Sequence, residues 1–179
     1  MIKIETERLI IREYSIEDIP ILYEISNEEN ILKWMPDWKG TLEKRYRWFE
    51  WLEGSYKTST KEKAAIVLGM TLKDSGDLIG MIGVGNKKEV DNEIEIAYFV
   101  SEKYSNKGYT TEASIEVSRW AIDYFDLEYI MAIVELDNYQ SQKVVEKSGY
   151  KKYGERYLKL AGFTEHKPFH YYRLYRNEK

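Results

Sequence analysis

The chain has 179 residues, and its 27 Lys and Arg against 31 Asp and Glu leave a formal charge of −4, which argues against a general nucleic-acid binder. It contains no cysteine, so disulfides, thiolate metal sites and an acyl-cysteine intermediate are excluded. An apolar share of 43% can build a core, no apolar run approaches the roughly 20 residues of a membrane span, and no Pro/Ser/Gly-rich linker divides the chain, so one domain over 1–179 is expected.

Ser15 with Asp18 gives a capping-type start to a helix running to about Asn27, and Pro20 is tolerable only near that first turn. Thr41 to about Tyr56 reads as a second helix, with Trp48 and Leu52 on one core-facing stripe and Phe49 beside them. Trp34 and Trp38 precede that helix and are candidates for an acceptor pocket. Ala64 to Leu72 and Leu78 to Val84 are strands joined by the hairpin signal Asp74-Ser75-Gly76-Asp77. The run Gly80-Met81-Ile82-Gly83-Val84-Gly85 looks like a nucleotide loop, yet it lies inside a strand and opens no helix. Bulges or close backbone approach are expected there.

Glu93 to Val100 alternates with a two-residue period and ends apolar on both faces, which makes Glu95, just before that buried end, the residue to question. Ser101 to Ala113 is a polar loop opening into a helix whose Ala113, Val117, Trp120, Ala121 and Tyr124 keep helical spacing. The first turn of a helix has unpaired N–H groups and a partial positive charge, which suits it to phosphate. Gly108 permits close backbone approach, Asn106 tolerates a left-handed conformation, and Lys103 and Lys107 add charge. The spacing is neither a P-loop nor a dinucleotide fingerprint, and an ordinary strand-to-helix turn with a solvated lysine pair is the alternative.

Tyr129 to Glu135 is another short strand, after which Asn138 caps a helix bearing Val144, Val145 and Lys147 that stops at Gly149. Tyr150 to Leu160 and Phe169 to Arg176 close as a last hairpin. Its Phe169-His170-Tyr171-Tyr172 segment could equally make a dimer edge, and His166 and His170 are too isolated for a metal site.

The order strand, anion loop, helix, strand, capped helix, glycine stop resembles the GNAT superfamily of acyl-CoA-dependent N-acetyltransferases, most closely its RimJ/RimL branch. The block R/Q-x-x-G-x-G/A corresponds to Ser105-Asn106-Lys107-Gly108-Tyr109-Thr110, keeping only the central glycine, and continues into the branch's Thr-Glu-Ala at Thr111, Glu112 and Ala113. The more specific block N-x-x-S/A-x-x-V/L-x-E-K-x-G-F/Y is read at Asn138, Ser141, Val144, Glu146, Lys147, Gly149 and Tyr150. Glu5 to Arg12 is similar to the family's opening strand, T-x-R-L-x-L-R.

This resemblance implies an α/β fold (α+β by some schemes): a mixed, mostly antiparallel twisted sheet with helices on both faces and a splay between two central parallel strands. It implies acetyl-CoA as co-substrate, with Phe99 and Val100 main chain, Ser105, Asn106, Lys107, Gly108, Tyr109, Thr110, Thr111, Asn138, Ser141 and Lys147 binding it, and with Lys143 as a further contact for a CoA phosphate. The tyrosine that many members use to protonate the thiolate is Val145 here, so Ser141 is the substitute, with Tyr139 as a further donor. Amine attack on a thioester needs a neutral amine, an oxyanion donor and a proton for sulfur. Glu95 is the expected base, with Glu93 as competitor on the same face. The acceptor is expected to be a protein N-terminus or a small amine. A non-catalytic acyl-CoA-binding module and an unrelated nucleotide-binding protein are the alternatives. No metal, membrane or general nucleic-acid partner is expected, a homodimer is compatible, and a cytoplasmic location is the default because no apolar signal stretch follows Met1.

Overall fold

The computed structural model describes residues 1–176. Its eight strands form one sheet: β1 (Lys3–Glu5), β2 (Leu9–Arg12), β3 (Ala65–Leu72), β4 (Leu78–Lys87), β5 (Glu93–Val100), β6 (Tyr129–Glu135), β7 (Lys151–Leu158) and β8 (Lys167–Tyr175). The spatial order is β1-β2-β3-β4-β5-β6-β8-β7, and every neighbouring pair is antiparallel except β5 and β6. The helices are α1 (Ile19–Ser26), α2 (Glu29–Leu32), α3 (Leu42–Thr58), α4 (Tyr109–Tyr124) and α5 (Tyr139–Lys147). The expected α/β class, with one parallel pair in a mostly antiparallel sheet, is what the chain forms.

The sheet's alternation sorts two cores. Ile94 and Ile96 of β5 are buried with Ala113, Val117 and Ala121 of α4. Phe99, on the opposite face, packs with Ile19, Leu22 and Ile25 of α1 and Phe49 and Leu52 of α3. Helices therefore cover both faces. Thr41 caps α3 by accepting the Lys44 N–H at 3.3 Å, and Pro20 sits in the first turn of α1, where it forfeits no helical hydrogen bond. At the end of α5, Gly149 adopts φ +93° and the Gly149 and Tyr150 amides donate to Glu146 and Val145 carbonyls, both at 3.1 Å. That paired closure is a Schellman stop.

Three expectations change. The opening strand is a hairpin, because Thr6 turns the chain: its Oγ1 accepts the Leu9 N–H at 2.9 Å and its own N–H donates to the Leu9 carbonyl at 3.0 Å. The helix expected to begin near Ala113 starts at Tyr109, since its first turn is polar and carries no apolar period. The Phe169–Tyr172 strand is not an edge: β8 lies between β6 and β7, and β7 is the outer strand, with Tyr153 and Tyr157 exposed.

The glycine run of β4 serves close approach. A Cβ on Gly80 would lie 2.3 Å from the Phe99 carbonyl oxygen, and one on Gly83 would lie 2.9 Å from that of Ile66. β4 therefore lies close against β5 at Gly80 and against β3 at Gly83, and it pairs with β5 from Gly80 to Lys87. On its other side β5 pairs with β6 only at Glu95 opposite Met131. Beyond Glu95 the two parallel strands part, and the gap between them is the floor of the site.

Candidate active site

A cleft of about 900 Å³ runs across that gap. Glu95, Phe99 and Val100 of β5 line it, as do Ser105 to Thr111, Asn138, Ser141, Lys143 and Lys147. Trp34 and the exposed aromatic Tyr139 also line it. Residues separated by more than a hundred positions in sequence thus share one wall.

The donor end is built by backbone. Asn106 and Gly108 both take left-handed conformations, with φ +60° and +80°. The first helical bond of α4 runs from the Glu112 N–H to the Gly108 carbonyl at 3.0 Å, so the amides of Tyr109, Thr110 and Thr111 have no carbonyl one turn back to receive them. They carry the positive end of α4 into the cleft. The loop is braced by Arg8, which the sequence reading did not single out. Its Nη1 donates to the Lys107 carbonyl at 2.9 Å, its Nε donates to Glu112 at 2.7 Å, and its guanidinium lies 4.5 Å from the Tyr109 ring centre. Thr6 Oγ1 and the Arg8 amide also donate to Glu112. Burial opposes ionisation of Glu112, but these hydrogen bonds outweigh it and hold the carboxyl below its ordinary value. The Thr6/Arg8 motif and the Thr-Glu-Ala motif are therefore two halves of one contact.

The chemistry sits at the splay. Glu95 is partly buried in the cleft wall, its side chain 14% exposed, and desolvation pushes its carboxyl above the ordinary value, with Glu89 and Asp37 adding in the same direction. Lys87, whose Nζ is 3.5 Å from Oε2, only partly opposes this. Glu93 is placed differently. It accepts from the Tyr171 hydroxyl, lies 3.7 Å from Arg173 and does not line the cleft, so the competitor is already partnered.

Asn138 Oδ1 accepts the Ser141 N–H at 3.2 Å, capping α5 and fixing Ser141 in its first turn. Ser141 Oγ is 3.0 Å from the hydroxyl of Tyr98, which also donates to the Ser141 carbonyl at 3.2 Å. Tyr98 was read in sequence only as an apolar strand position, and the alternation that aims it at α5 is its sole sequence signal. Val145 is fully buried in the core.

On the acceptor side, Trp34 lies under Lys33 Nζ at 4.4 Å. Trp38 is a correction: it does not line the cleft, because its ring is committed to Phe99 at 4.8 Å and Trp48 at 5.5 Å, beneath the Arg45 guanidinium at 4.7 Å. Asp37, Leu160, Ala161 and Phe163 complete this wall. Gly162, at φ +81°, lies against Pro36 and Asp37, so the β7–β8 loop touches the turn before α3. Among the described residues no group of three His, Cys, Asp or Glu is arranged to hold a metal, and no helix is long and apolar enough to cross a membrane.

Comparison with known proteins agrees with this geometry. The acetyltransferase (GNAT) domain family matches residues 8–151. "Uncharacterized N-acetyltransferase YnaD" of Bacillus subtilis is 29% identical over 151 residues, 84% of each chain. The solved structure of ribosomal-protein-S5-alanine acetyltransferase from Vibrio fischeri superposes with a TM-score of 0.81 at 19% identity, covering 99% of this chain and 98% of that one. Spermidine N-acetyltransferase from Vibrio cholerae, solved with CoA and spermine, superposes at 0.77 with 12% identity, covering 95% and 96%. A parallel pair that parts beside a left-handed glycine loop, within a sequence matched over 8–151, has one consistent reading: the chain belongs to the GNAT family of N-acetyltransferases.

Proposed function

We propose that the protein moves an acetyl group from acetyl-CoA to a primary amine by direct attack in a ternary complex, the acceptor being a protein N-terminal amine. The observation that carries this is Glu95: a partly buried carboxylate with a raised pKa, at the last paired residue before β5 and β6 separate, facing the cleft that leads to the Gly108 loop. The two structural neighbours share this fold, one named for an alanine of a ribosomal protein and the other for spermidine, so the fold alone does not choose between acceptors. The Thr-Glu-Ala continuation, through its likeness to the RimJ/RimL branch, favours the protein amine.

In this reading the amides of the Asn106–Thr111 turn hold the CoA diphosphate, and Lys143 and Lys147, both at the cleft wall, offer charge to a further phosphate. Main-chain N–H groups near Phe99 and Val100, freed by the splay, receive the pantetheine arm and the developing oxyanion. Glu95 takes the proton of the attacking nitrogen, directly or through water, as the C–N bond forms. The C–S bond breaks with its electron pair on sulfur, and Ser141 offers that sulfur a hydrogen bond. Each role falls to a residue with the matching chemistry. The same reading takes the chain as one catalytic domain working in the cytoplasm.

The test is thiol release from acetyl-CoA across peptides with free or blocked N-termini, spermidine and small amines. Turnover on free N-terminal peptides is expected. Turnover confined to spermidine or small amines would transfer the acceptor assignment to those, and calorimetry showing no heat with CoA would remove the donor assignment altogether.

A further inference from the structure

We propose that Tyr98 is a positioning residue for the transfer step: its hydroxyl holds the Ser141 side chain so that the serine hydrogen is presented to the departing sulfur. The inference rests on the acetyl-transfer reading above. Its observation is separate, a hydroxyl pair built from two elements that meet only in the fold. Tyr98 belongs to β5, beyond the last residue paired with β6, and Ser141 belongs to the first turn of α5. Both line the cleft.

Each hydroxyl has one hydrogen and two lone pairs. Tyr98 has two acceptors within reach on one residue, the Ser141 Oγ at 3.0 Å and the Ser141 carbonyl at 3.2 Å. When Tyr98 donates to the carbonyl, the serine hydrogen rests on the tyrosine oxygen. When Tyr98 donates to Oγ, the serine hydrogen is free to point into the cleft. The pair passes between these arrangements by rotating two hydroxyls, with no heavy atom moved and no donor abandoned. Charge growing on sulfur as the C–S bond breaks selects the second arrangement.

No proton leaves either hydroxyl in this step. The nitrogen proton goes to Glu95 as the C–N bond forms, and the thiolate departs hydrogen-bonded to Ser141 and takes its proton from water. Burial of Tyr98 pushes its hydroxyl well above the ordinary phenol range, Ser141 opposing only in part, so Tyr98 stays a donor at any working pH. Ser141 cannot drift from the pair, because Asn138 pins its amide. Val145 at the usual acid position supplies no hydroxyl, and this pair supplies one at that end of the cleft.

The experiment measures kcat, KM for acetyl-CoA and CoA affinity for the wild type, Tyr98→Phe, Ser141→Ala and the double variant. Tyr98→Phe is expected to lower kcat about fivefold, with KM and CoA affinity unchanged. The double variant should be no slower than Ser141→Ala, since residues acting as a unit do not multiply their losses. A role confined to packing would instead weaken CoA binding or compound with Ser141→Ala, and would overturn the proposal. So would a Tyr98→Phe enzyme as fast as the wild type. If the wild type itself transfers nothing to any amine, the acetyl-transfer reading fails first.

Discussion

On the donor side of the cleft, three parts of the chain fasten the segment that follows β5. Glu28 accepts from the Ser101 hydroxyl at 2.7 Å and the Glu102 amide at 2.8 Å, Tyr104 donates to Asp77 at 3.0 Å, and Arg8 holds the Lys107 carbonyl. On the acceptor side, Asn30 Oδ1 and Glu135 Oε1 are buried and find no hydrogen-bond partner among the described residues. Buried acceptors left unpaired are costly, so the acceptor wall keeps sites that a ligand's N–H donors can fill, whereas the donor wall is held by side-chain bonds and offers the opposite polarity, the amides of Tyr109 to Thr111. A loop that always binds one ligand gains from being fixed in advance. A wall that must choose among amines keeps its acceptors open.

The strongest way to break this comparison is Glu95→Gln, which removes the proton acceptor without touching the braced loop. A loss in kcat of about 10² to 10⁴ is expected with CoA affinity unchanged. Because burial raises the Glu95 pKa, the acid limb of kcat/KM should lie above the ordinary carboxylate value of about 4.3. The same shift has a stability sign. A carboxyl whose folded pKa is raised stabilises the fold below its unfolded pKa, and that contribution is lost as pH rises through the folded value. Glu95→Gln should therefore melt higher than the wild type at neutral pH, with the gain vanishing in acid. Unchanged turnover at neutral pH would remove Glu95 from the mechanism.

Next in size is Gly108→Val. A β-branched residue at φ +80° costs about 1 to 3 kcal/mol, and its Cβ would lie 3.3 Å from Arg8 Nη2. CoA affinity should fall about 10- to 100-fold, read by calorimetry. Arg8→Ala sharpens the same point more gently. Its bond to Glu112 is 2.7 Å long, but with the arginine side chain 42% exposed the pair is worth about 1 kcal/mol. The expected loss of CoA affinity is about fivefold, with KM for the amine unchanged once CoA saturates.

The donor side was also the legible side. Strands 93–100 and 129–135 have the bounds their alternation gives, and Asn138 and Gly149 act as the cap and stop their chemistry suggests. Local periodicity and capping are written in neighbouring residues. Arg8 escaped because its partner Glu112 lies 104 positions away and each is an ordinary surface charge by itself. Tyr98 escaped because a strand aromatic reads as core until its hydroxyl is seen to meet Ser141. Around the acceptor, α2 has four residues and the turn Pro36–Trp38 has three, too short for any period to show. Trp38 read as a pocket residue for lack of that turn, which folds its ring inward onto Phe99.

The smallest expected effect is also the one that tests whether the two sides are mechanically separate. Gly162 has φ +81°, and a Cβ there would lie 2.6 Å from the Asp37 amide nitrogen and 2.9 Å from Pro36 Cγ. Backbone cannot yield as a flexible side chain does, so Gly162→Ala must push the β7–β8 loop away from the Pro36–Trp38 turn. Asp37, Leu160, Ala161 and Phe163 move with those segments, and all four line the acceptor wall. None of the three braces on the donor loop involves either segment. The amine KM should therefore change a few-fold, about 1 kcal/mol or less, while CoA affinity stays at the wild-type value. Equal losses on both ligands would mean that the contact at Gly162 holds the whole cleft in shape. In that case the unpaired acceptors at Asn30 and Glu135 would reflect strain shared across the site, and not a wall left open for the incoming amine.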